Sequence, residues 1–473
     1  MNYPFWDVPI IGSGWVIGII SIIHVLVSQF AVGGGLYLVL AERKALRENR
    51  LDWLPRLREH SRFFLIMTNV FGATSGVGIW FAIGLAHPES TSTLIHNFVF
   101  GWAMEWVFFV VELSSAAVYY YSWNKISHEM HQRVGWLYAI SSFCTLVIIN
   151  GILTFMLTPG DAWIAVAGTG QEASQFWSAF FNPTYFPSLF LRILVCISLA
   201  GIWALVSYSR LDHDAQAKGE LITWSSKWLI PSFVATPIAF LWYLASVPEV
   251  NRALLQLGIS TIGSGAFTQV TRIALVVVMT SATIVGVVYF FVRKAPQDFS
   301  FGHGLAVLFL AAVITASGEY AREMLRKPYV IARHMYSNGI RQSEVAQMNE
   351  KGYLEKSLWV RPVADKTNEP EVILAKGEAM YRGQCLNCHT TTGYRAITKL
   401  LSRRDHQSIG NFLQTLREYK DDSPYKKYMP QLVGKPDEIA ALNDYLDYVV
   451  NKDKSRIAGL MRARESKNVA QAQ

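Results

Sequence analysis

Long apolar runs separated by short polar segments occupy the first two thirds of the chain. Each run has about twenty or more residues, which is enough for a helix to cross a lipid bilayer. The pattern predicts an all-α bundle of eight transmembrane helices within residues 1–334. The runs fall at 15–40, 63–86, 97–122, 134–158, 188–208, 227–247, 270–292 and 302–326.

The pattern changes after Pro328. Residues 335–370 form a polar connector, and 371–455 have the mixed composition of a small all-α domain. Asp437 to Val450 has apolar positions at helical spacing, which predicts an amphipathic closing helix. The last segment, 456–473, is basic and rich in Ala and Gln, and we expect a flexible tail.

Basic residues are distributed unequally between alternate loops. Loops 87–96, 159–187 and 248–269 contain only Arg252, whereas the other loops are basic. Since Lys and Arg accumulate on the cytoplasmic side, both termini are predicted to be periplasmic, in a bacterial inner membrane. The basic loop residues are Arg43, Lys44, Arg47, Arg50, Arg56, Arg58, Arg62, Lys125, Arg133, Arg210, Lys218, Lys227, Arg293 and Lys294.

Composition agrees with a membrane protein, because 51% of the residues are hydrophobic and only 16% are charged. Aromatic residues, at 13%, suit interfacial belts. Of the four cysteines, Cys144 and Cys196 stand alone in apolar helices and are interpreted as core residues. No nucleotide-binding loop is present, and no nucleic-acid partner is expected.

The sequence Cys385-Leu386-Asn387-Cys388-His389 is the attachment motif of a c-type haem. The two thiols form thioethers with the porphyrin, and the histidine is the proximal iron ligand. A zinc site would require two more soft ligands nearby, and none is found. Met429, about forty residues later, is the predicted second axial ligand. One covalent haem c is expected, on the periplasmic face that the loop charges predict independently.

Ionisable residues inside a bilayer are costly and usually functional. At ~1.5 Å per residue, His24, Glu105 and Glu319 lie at similar depths of roughly 12–14 Å from the outer face, and Glu112 lies deeper. This layer is a candidate for binding non-covalent haem. Arginines toward the outer helix ends are candidates for pairing with haem propionates. The ionisable residues of the predicted spans are His24, Glu105, Glu112, Arg192, Arg272, Glu319, Arg322, Glu323 and Arg326. A simple structural role is the alternative, since such histidines are often hydrogen-bonded and such arginines snorkel.

Residues 10–332 resemble subunit I of the cytochrome bd oxidases. The resemblance rests on several short segments rather than on overall identity. They are Ser21-Ile22-Ile23-His24, Ala73-Thr74-Ser75-Gly76, Glu112 through Trp123-Asn124-Lys125, His131 and Trp136, Asn150-Gly151, and Glu323-Met324-Leu325-Arg326-Lys327-Pro328-Tyr329.

The resemblance implies one or two non-covalent haems of b or d type, a second similar membrane subunit, and reduction of dioxygen. It implies His24 as a high-spin haem ligand, Glu112 in proton transfer, and Glu323 as a ligand with Arg326 near a propionate. In the family, the first carboxylate of the third helix is at a position that aligns one residue away from Glu105 of this chain. Helical depth favours Glu319 over Glu323, so both remain candidates.

The chain also departs from the family. In the family, a histidine of helix 5 and a methionine of helix 7 bind the low-spin haem. The corresponding segments of this chain contain Arg192 and Arg272 and neither of those ligands. The quinol-binding loop is shortened to 248–269, and a cytochrome c replaces the ninth helix. These differences predict that electrons come from a periplasmic donor, a cytochrome c or other redox protein, and not from quinol.

Our hypothesis is a bd-like terminal oxidase that receives electrons through haem c. His24, Glu105 and Glu112 would act at the oxygen-reactive haem. Two alternatives are an electron-transfer subunit that serves a periplasmic redox enzyme, and reduction of nitric oxide. A vacant iron coordination position, seen as a carbon monoxide shift of the reduced spectrum, would favour the oxidase.

Overall fold

The computed structural model describes residues 5–211, 214–249, 269–361, 363, 367–426 and 428–472. The predicted loop 248–269, with Arg252, lies almost entirely outside the described residues. Within the described residues, eight helical segments are long and apolar enough to cross a membrane, which confirms the eight predicted spans. The chain is therefore a multi-pass membrane protein.

The spans contain the following elements, with their bounds. They are α1 (Ser13–Arg47), α2 (Trp53–Ile66) followed by a π-helical turn (Met67–Gly72) and α3 (Ala73–Ala86), α5 (Val99–Tyr121), α6 (His128–Leu157), α9 (Tyr185–Tyr208), α10 (Ala215–Ser226) with α11 (Ile230–Ser246), α12 (Gln269–Lys294) and α13 (Phe301–Arg326). Shorter helices between them are α4 (Pro88–Asn97), α7 (Asp161–Val166) and α8 (Phe176–Phe180).

The chain divides into two compact units, and the larger contains residues 20–79 and 95–325. Its core is built from aromatic and aliphatic side chains such as Phe30, Tyr37, Leu57 and Phe64. In a bilayer, helices associate mainly through close packing, which small residues permit. The contacts of three consecutive glycines of α1 illustrate this.

Gly33, Gly34 and Gly35 allow other chain segments to approach α1 closely. A Cβ atom on Gly33 would lie 1.9 Å from the carbonyl oxygen of Cys196 on α9. A Cβ on Gly35 would lie 2.0 Å from the ring of Tyr138 on α6. These distances leave no room for a larger residue, so the triplet fixes how α1 packs against α6 and α9.

The second unit combines residues 1–19, 80–94 and 326–473. Its C-terminal part begins with a short hairpin, β1 (Tyr329–Ile331) and β2 (Met335–Tyr336), paired antiparallel. Its helices are α14 (Val345–Lys351), α15 (Tyr353–Lys356), α16 (Pro370–Gln384), α17 (Ile397–Leu400), α18 (His406–Glu418), α19 (Pro436–Asn451) and α20 (Arg456–Ala472).

The segment before α1 and the loop after α3 are integral to this unit. The amide of Phe5 donates to the carbonyl of Trp359 at 3.1 Å, and Tyr394 donates to the carbonyl of Ile10 at 2.7 Å. Glu89 accepts from the indole of Trp359 at 3.2 Å and also pairs with Arg341. The N-terminal segment, the loop after the second span and the C-terminal domain therefore pack together in this unit.

Helices α16 and α19 cross at a glycine. A Cβ on Gly377 would lie 2.1 Å from the carbonyl oxygen of Ala441 and 2.5 Å from Cβ of Tyr445. The predicted helix Asp437 to Val450 corresponds to α19, whose buried face includes Leu442 and Leu446. The two helices thus form the frame of the C-terminal domain.

Residues 456–473, where we expected a flexible tail, are helical as α20 over the described residues. Its first residue, Arg456, donates to the buried carboxylate of Asp444 at 2.8 Å. The predicted connector 335–370 contains β2, α14 and α15. These contacts place the connector and the start of α20 in the same compact unit as the haem c motif.

Candidate haem-binding sites

The Cys385–His389 motif follows directly from the end of α16. Cys385 caps this helix, and its amide donates to the carbonyl of Tyr381 at 2.8 Å. Both motif cysteines are free thiols. Burial raises the pKa of Cys385 to about 12, which keeps it a protonated thiol. Two thiols and one imidazole are thereby presented from a single turn.

The imidazole of His389 is oriented by the backbone. Its Nδ1 lies 3.2 Å from the carbonyl oxygen of Arg395. A carbonyl can only accept, so the ring proton is on Nδ1 and Nε2 keeps its lone pair. Histidines that bind metals commonly donate their second nitrogen in this way. The hydroxyl of Tyr381 donates to the carbonyl of His389 at 2.7 Å and fixes the backbone of the ligand.

The segment that carries Met429 is hydrogen-bonded to the residue that precedes the Cys385–His389 motif. Gln384, which precedes Cys385, donates to the carbonyl of Val433 at 2.8 Å and accepts from its amide at 3.0 Å. The hydroxyl of Tyr419 donates to the carbonyl of Met429 at 3.0 Å. Met429 is half-buried and packs against the apolar core of the domain. Methionine and histidine are thus held within one small hydrophobic domain.

These residues fit a covalent haem c. The donor set has two thiols, an imidazole with Nε2 available and a thioether, all in an apolar core. A zinc site is not supported, since the described residues contain no group of three or more His, Cys, Asp or Glu side chains arranged for a metal ion. Haem iron does not require such a group because the porphyrin supplies four of its ligands.

In the membrane bundle, His24 of α1 is oriented by α3. Its Nδ1 lies 3.1 Å from the hydroxyl oxygen of Ser75. Ser75 donates its own proton to the carbonyl of Phe71 at 2.5 Å, so its oxygen accepts from His24. The His24 proton is therefore on Nδ1, and Nε2 has its lone pair available for iron.

Gly76 makes space for the same imidazole. A Cβ there would lie 3.2 Å from Cε1 of His24, which is tighter than most real contacts. The π-helical turn Met67–Gly72 precedes these residues. Such turns often occur at functional sites, because the extra residue shifts the side chains that follow. The Ala73–Gly76 segment thus shapes the surroundings of His24.

Glu105 and Glu112 lie on α5, about two turns apart, and interact electrostatically. Glu112 is buried and accepts hydrogen bonds from Tyr138 at 3.2 Å and Ser142 at 3.0 Å. Glu105 is partly buried, and among the described residues it has no hydrogen bond or ion pair. A carboxylate with its oxygens available suits a ligand, whereas one bonded to hydroxyls suits proton transfer.

Three predicted residues of α9 and α13 lie in one electrostatic cluster. Arg322 donates to a carboxylate oxygen of Glu319 at 2.7 Å, and Arg192 interacts electrostatically with both. The Nε atom of Arg192 is buried without a hydrogen-bond partner in the described structure. Glu319 is therefore paired with a cation, and Arg322 also interacts electrostatically with Glu323.

The remaining predicted residues are on the same or neighbouring helices. Arg272 is exposed on α12, Glu323 lies near Arg322 on α13, and Arg326 ends that helix. Within the described residues, His24 makes no hydrogen bond or ion pair with the predicted carboxylates. The arrangement groups Arg192, Glu319 and Arg322 together and places His24 with Ser75 and Gly76.

The sequence analysis missed two buried histidine environments. His131 lies 2.8 Å from Glu42, which also accepts from Tyr119 at 2.8 Å. His60 of α2 is fully buried, and both of its ring nitrogens lack a hydrogen-bond partner among the described residues. Glu42 and His60 lie just outside the predicted spans 15–40 and 63–86 but inside the longer observed spans Ser13–Arg47 and Trp53–Ala86, so the search of the predicted spans did not include them.

The cytochrome bd terminal oxidase subunit I family model matches residues 13–239. A solved structure of bd oxidase from Geobacillus thermodenitrificans aligns with a TM-score of 0.57 and 16% sequence identity, covering 67% of this chain and 87% of that chain. Comparison with curated proteins gave no significant match. The structural similarity concerns the fold, and it is consistent with the eight spans described above.

The matched residues include α1, with His24, and α5, with Glu105 and Glu112. They end within α11, before the predicted carboxylates of α13 and the C-terminal domain. Residues 13–239 of this chain are therefore similar to the cytochrome bd terminal oxidase subunit I family, and the membrane bundle has a bd oxidase fold.

Proposed function

We propose that this protein is a bd-like terminal oxidase subunit that takes electrons from a periplasmic donor through haem c and reduces dioxygen at a buried haem. Covalent haem c would be bound by Cys385 and Cys388, with His389 and Met429 as axial ligands. His24, with Glu105, would hold the oxygen-reactive haem of d or b type. Glu323 or Glu319 would bind a second non-covalent haem.

The observation that carries this proposal is the matching orientation of two histidines. His389 and His24 each direct Nδ1–H to an oxygen acceptor, which leaves Nε2 of each available. One lies in the C-terminal domain and the other in the bd family domain. The pair therefore supports a chain of haems and not a single isolated redox centre.

Bound haem supplies electron transfer at both sites and oxygen chemistry at the buried site. The chain's own residues then have distinct tasks. Ser75 holds the proton of His24 at Nδ1, and Arg192 and Arg322 provide positive charge suited to propionates. Glu112 holds a proton among the hydroxyls of Tyr138 and Ser142, where it can deliver protons to the site.

The proposed partners follow from the same reasoning. A second bd-like membrane subunit would complete the bundle, and a periplasmic cytochrome c or redox enzyme would donate electrons. We propose that quinol is a poor direct donor, on the basis of the shortened loop and the absent family ligands in the sequence. The inner membrane and periplasmic termini are proposed from the loop charges.

The test is a spectrum of the purified complex together with oxygen uptake. Pyridine haemochrome analysis measures the amounts of haem c, haem b and haem d. A shift of the reduced spectrum on addition of carbon monoxide indicates a vacant coordination position on iron. We expect one haem c per chain, a carbon monoxide shift and oxygen uptake with an ascorbate-reduced mediator. Consumption of nitric oxide without oxygen uptake, or fully six-coordinate haem, would contradict the oxidase.

Two variants separate the sites. Cys388→Ala should abolish haem-stained protein after denaturing electrophoresis. His24→Ala should remove a high-spin signal and leave the c band intact. If the His24 variant keeps all of its haem, the ligand assignment is wrong.

A further inference from the structure

A cavity of about 560 Å³ opens on the face of the bundle that carries the basic loops. It lies between the end of α9, the start of α10 and the turn between α12 and α13. Its volume is within the range of about 300–1,000 Å³ that small-molecule sites occupy. Its lining residues are Ser209, Arg210, Lys218, Gln297, Asp298, Ser300 and Phe301.

Two cationic side chains, Arg210 and Lys218, line the cavity. Lys218 is buried, with 8% of its surface exposed, although lysine is rarely buried in proteins. Arg210 is exposed, and its guanidinium lies over the ring of Phe301, 5.2 Å from the centroid. In the described part of the chain, Arg210 forms no ion pair. The start of α13 at Phe301 adds positive helix-dipole potential.

The lining also contains groups that can bind hydroxyls. Asp298 offers a carboxylate, Gln297 an amide and Ser300 a hydroxyl. Cations beside groups that can bind hydroxyls suit an anion that also carries hydroxyl groups.

An apolar surface continues from the cavity along α13. Phe301, Leu305 and Phe309 are spaced four residues apart, so they lie on one face of the helix. Their exposed fractions are 41%, 44% and 67%. A free phosphate ion would not contact this apolar surface, whereas the acyl chain of a lipid would cover it.

We propose that this cavity binds the phosphate group of an anionic phospholipid whose acyl chains lie along Phe301, Leu305 and Phe309. Arg210 and Lys218 would pair with the phosphate, and Asp298 would accept a hydroxyl of a glycerol headgroup. Basic pockets between transmembrane helices on the cytoplasmic side bind anionic headgroups in this manner. The proposal concerns a lipid site and does not depend on the redox function.

The test uses the purified complex in nanodiscs made from equal amounts of phosphatidylglycerol and phosphatidylcholine. Native mass spectrometry then measures which lipid the protein retains. We expect about tenfold preference for phosphatidylglycerol, since that ratio equals ~1.4 kcal/mol and charge-assisted hydrogen bonds are worth about that or more. Arg210→Ala should remove most of the preference, and Phe309→Ala should reduce retention of both lipids.

Lys125→Ala is the matched control, because this basic residue is exposed on the same predicted face but does not line the cavity. Lys218→Met keeps the length of a buried side chain, and its haem spectrum verifies folding. Equal retention of phosphatidylglycerol by Arg210→Ala, Lys218→Met and Lys125→Ala would overturn the proposal. Displacement of the lipid by inorganic phosphate at equal concentration would instead assign the cavity to free phosphate. Equal retention of phosphatidylcholine and phosphatidylglycerol by the unaltered protein would overturn the preference for an anionic lipid.

Discussion

The side-chain amide of Gln384 and the backbone of Val433 hydrogen-bond to each other in both directions. This pair joins the end of α16, where the haem c motif begins, to the segment that follows Met429. Both residues are buried. This reciprocal contact therefore joins the two segments that carry the predicted axial ligands of haem c.

Replacing Gln384 by Met should destabilise the C-terminal domain. The amide and the carbonyl of Val433 would both be left unsatisfied, at a cost of about 1–3 kcal/mol each. We expect a lower thermal midpoint for the c-type absorbance and weaker Met429 ligation in the oxidised spectrum. Gln414→Ala, which removes only an exposed bond to Glu418, should have little effect. Similar midpoints for the two variants would show that the contact is dispensable.

Ser75→Ala should weaken non-covalent haem binding without loss of haem c. The alanine cannot accept the Nδ1 proton of His24, and changes to such partners typically reduce metal affinity or activity by 10–100-fold, so we expect roughly that range. The measurement is the ratio of b and d haem to c haem after purification. Thr74→Ala is the control, because Thr74 is adjacent but donates only to the backbone of its own helix. An unchanged haem ratio in Ser75→Ala would refute the positioning role.

Glu112→Gln should slow turnover while haem content stays constant. Glutamine keeps an oxygen that accepts from Tyr138 and Ser142, but it cannot exchange a proton. We expect a decrease of about a hundredfold in oxygen uptake, at the lower end of typical acid–base contributions. Glu129→Gln, on the exposed start of α6, should retain full activity. Normal uptake by Glu112→Gln would exclude this residue from proton transfer.

His60→Phe should raise the thermal stability of the membrane bundle. The imidazole is enclosed by aromatic rings, including Phe30 and Tyr208, and its nitrogens have no partners in the described structure. Removal of unsatisfied buried polar atoms by an apolar side chain is neutral or stabilising. His131→Phe should do the opposite, since it would deprive Glu42 of its partner. A fall in midpoint for His60→Phe would indicate that the imidazole has an important partner.

Much of the fold could be predicted because membrane helices are specified locally. Apolar runs alone located the eight spans, and the spacing of Leu442 and Leu446 located α19. The Cys385–His389 motif is recognisable from five consecutive residues, and the haem c that it implies stays a prediction.

The positioning contacts could not be predicted in the same way. His24 and Ser75 are 51 residues apart, and Gln384 and Val433 are 49 apart. No local pattern specifies such pairs, because they depend on how helices pack. The pairing of Glu319 with Arg322 is local, but the electrostatic contact of both residues with Arg192 depends on how α9 packs beside α13.

The docking of the N-terminal segment on the C-terminal domain affects synthesis of the protein. The carbonyl of Ile10 accepts a hydrogen bond from the amide of Tyr394. During translation, Ile10 is therefore synthesised more than three hundred residues before its partner. Until Tyr394 has been synthesised, the segment around Ile10 lacks this hydrogen bond. A bulky fusion to the first residues would compete with this late closure, whereas a fusion after α20 would not.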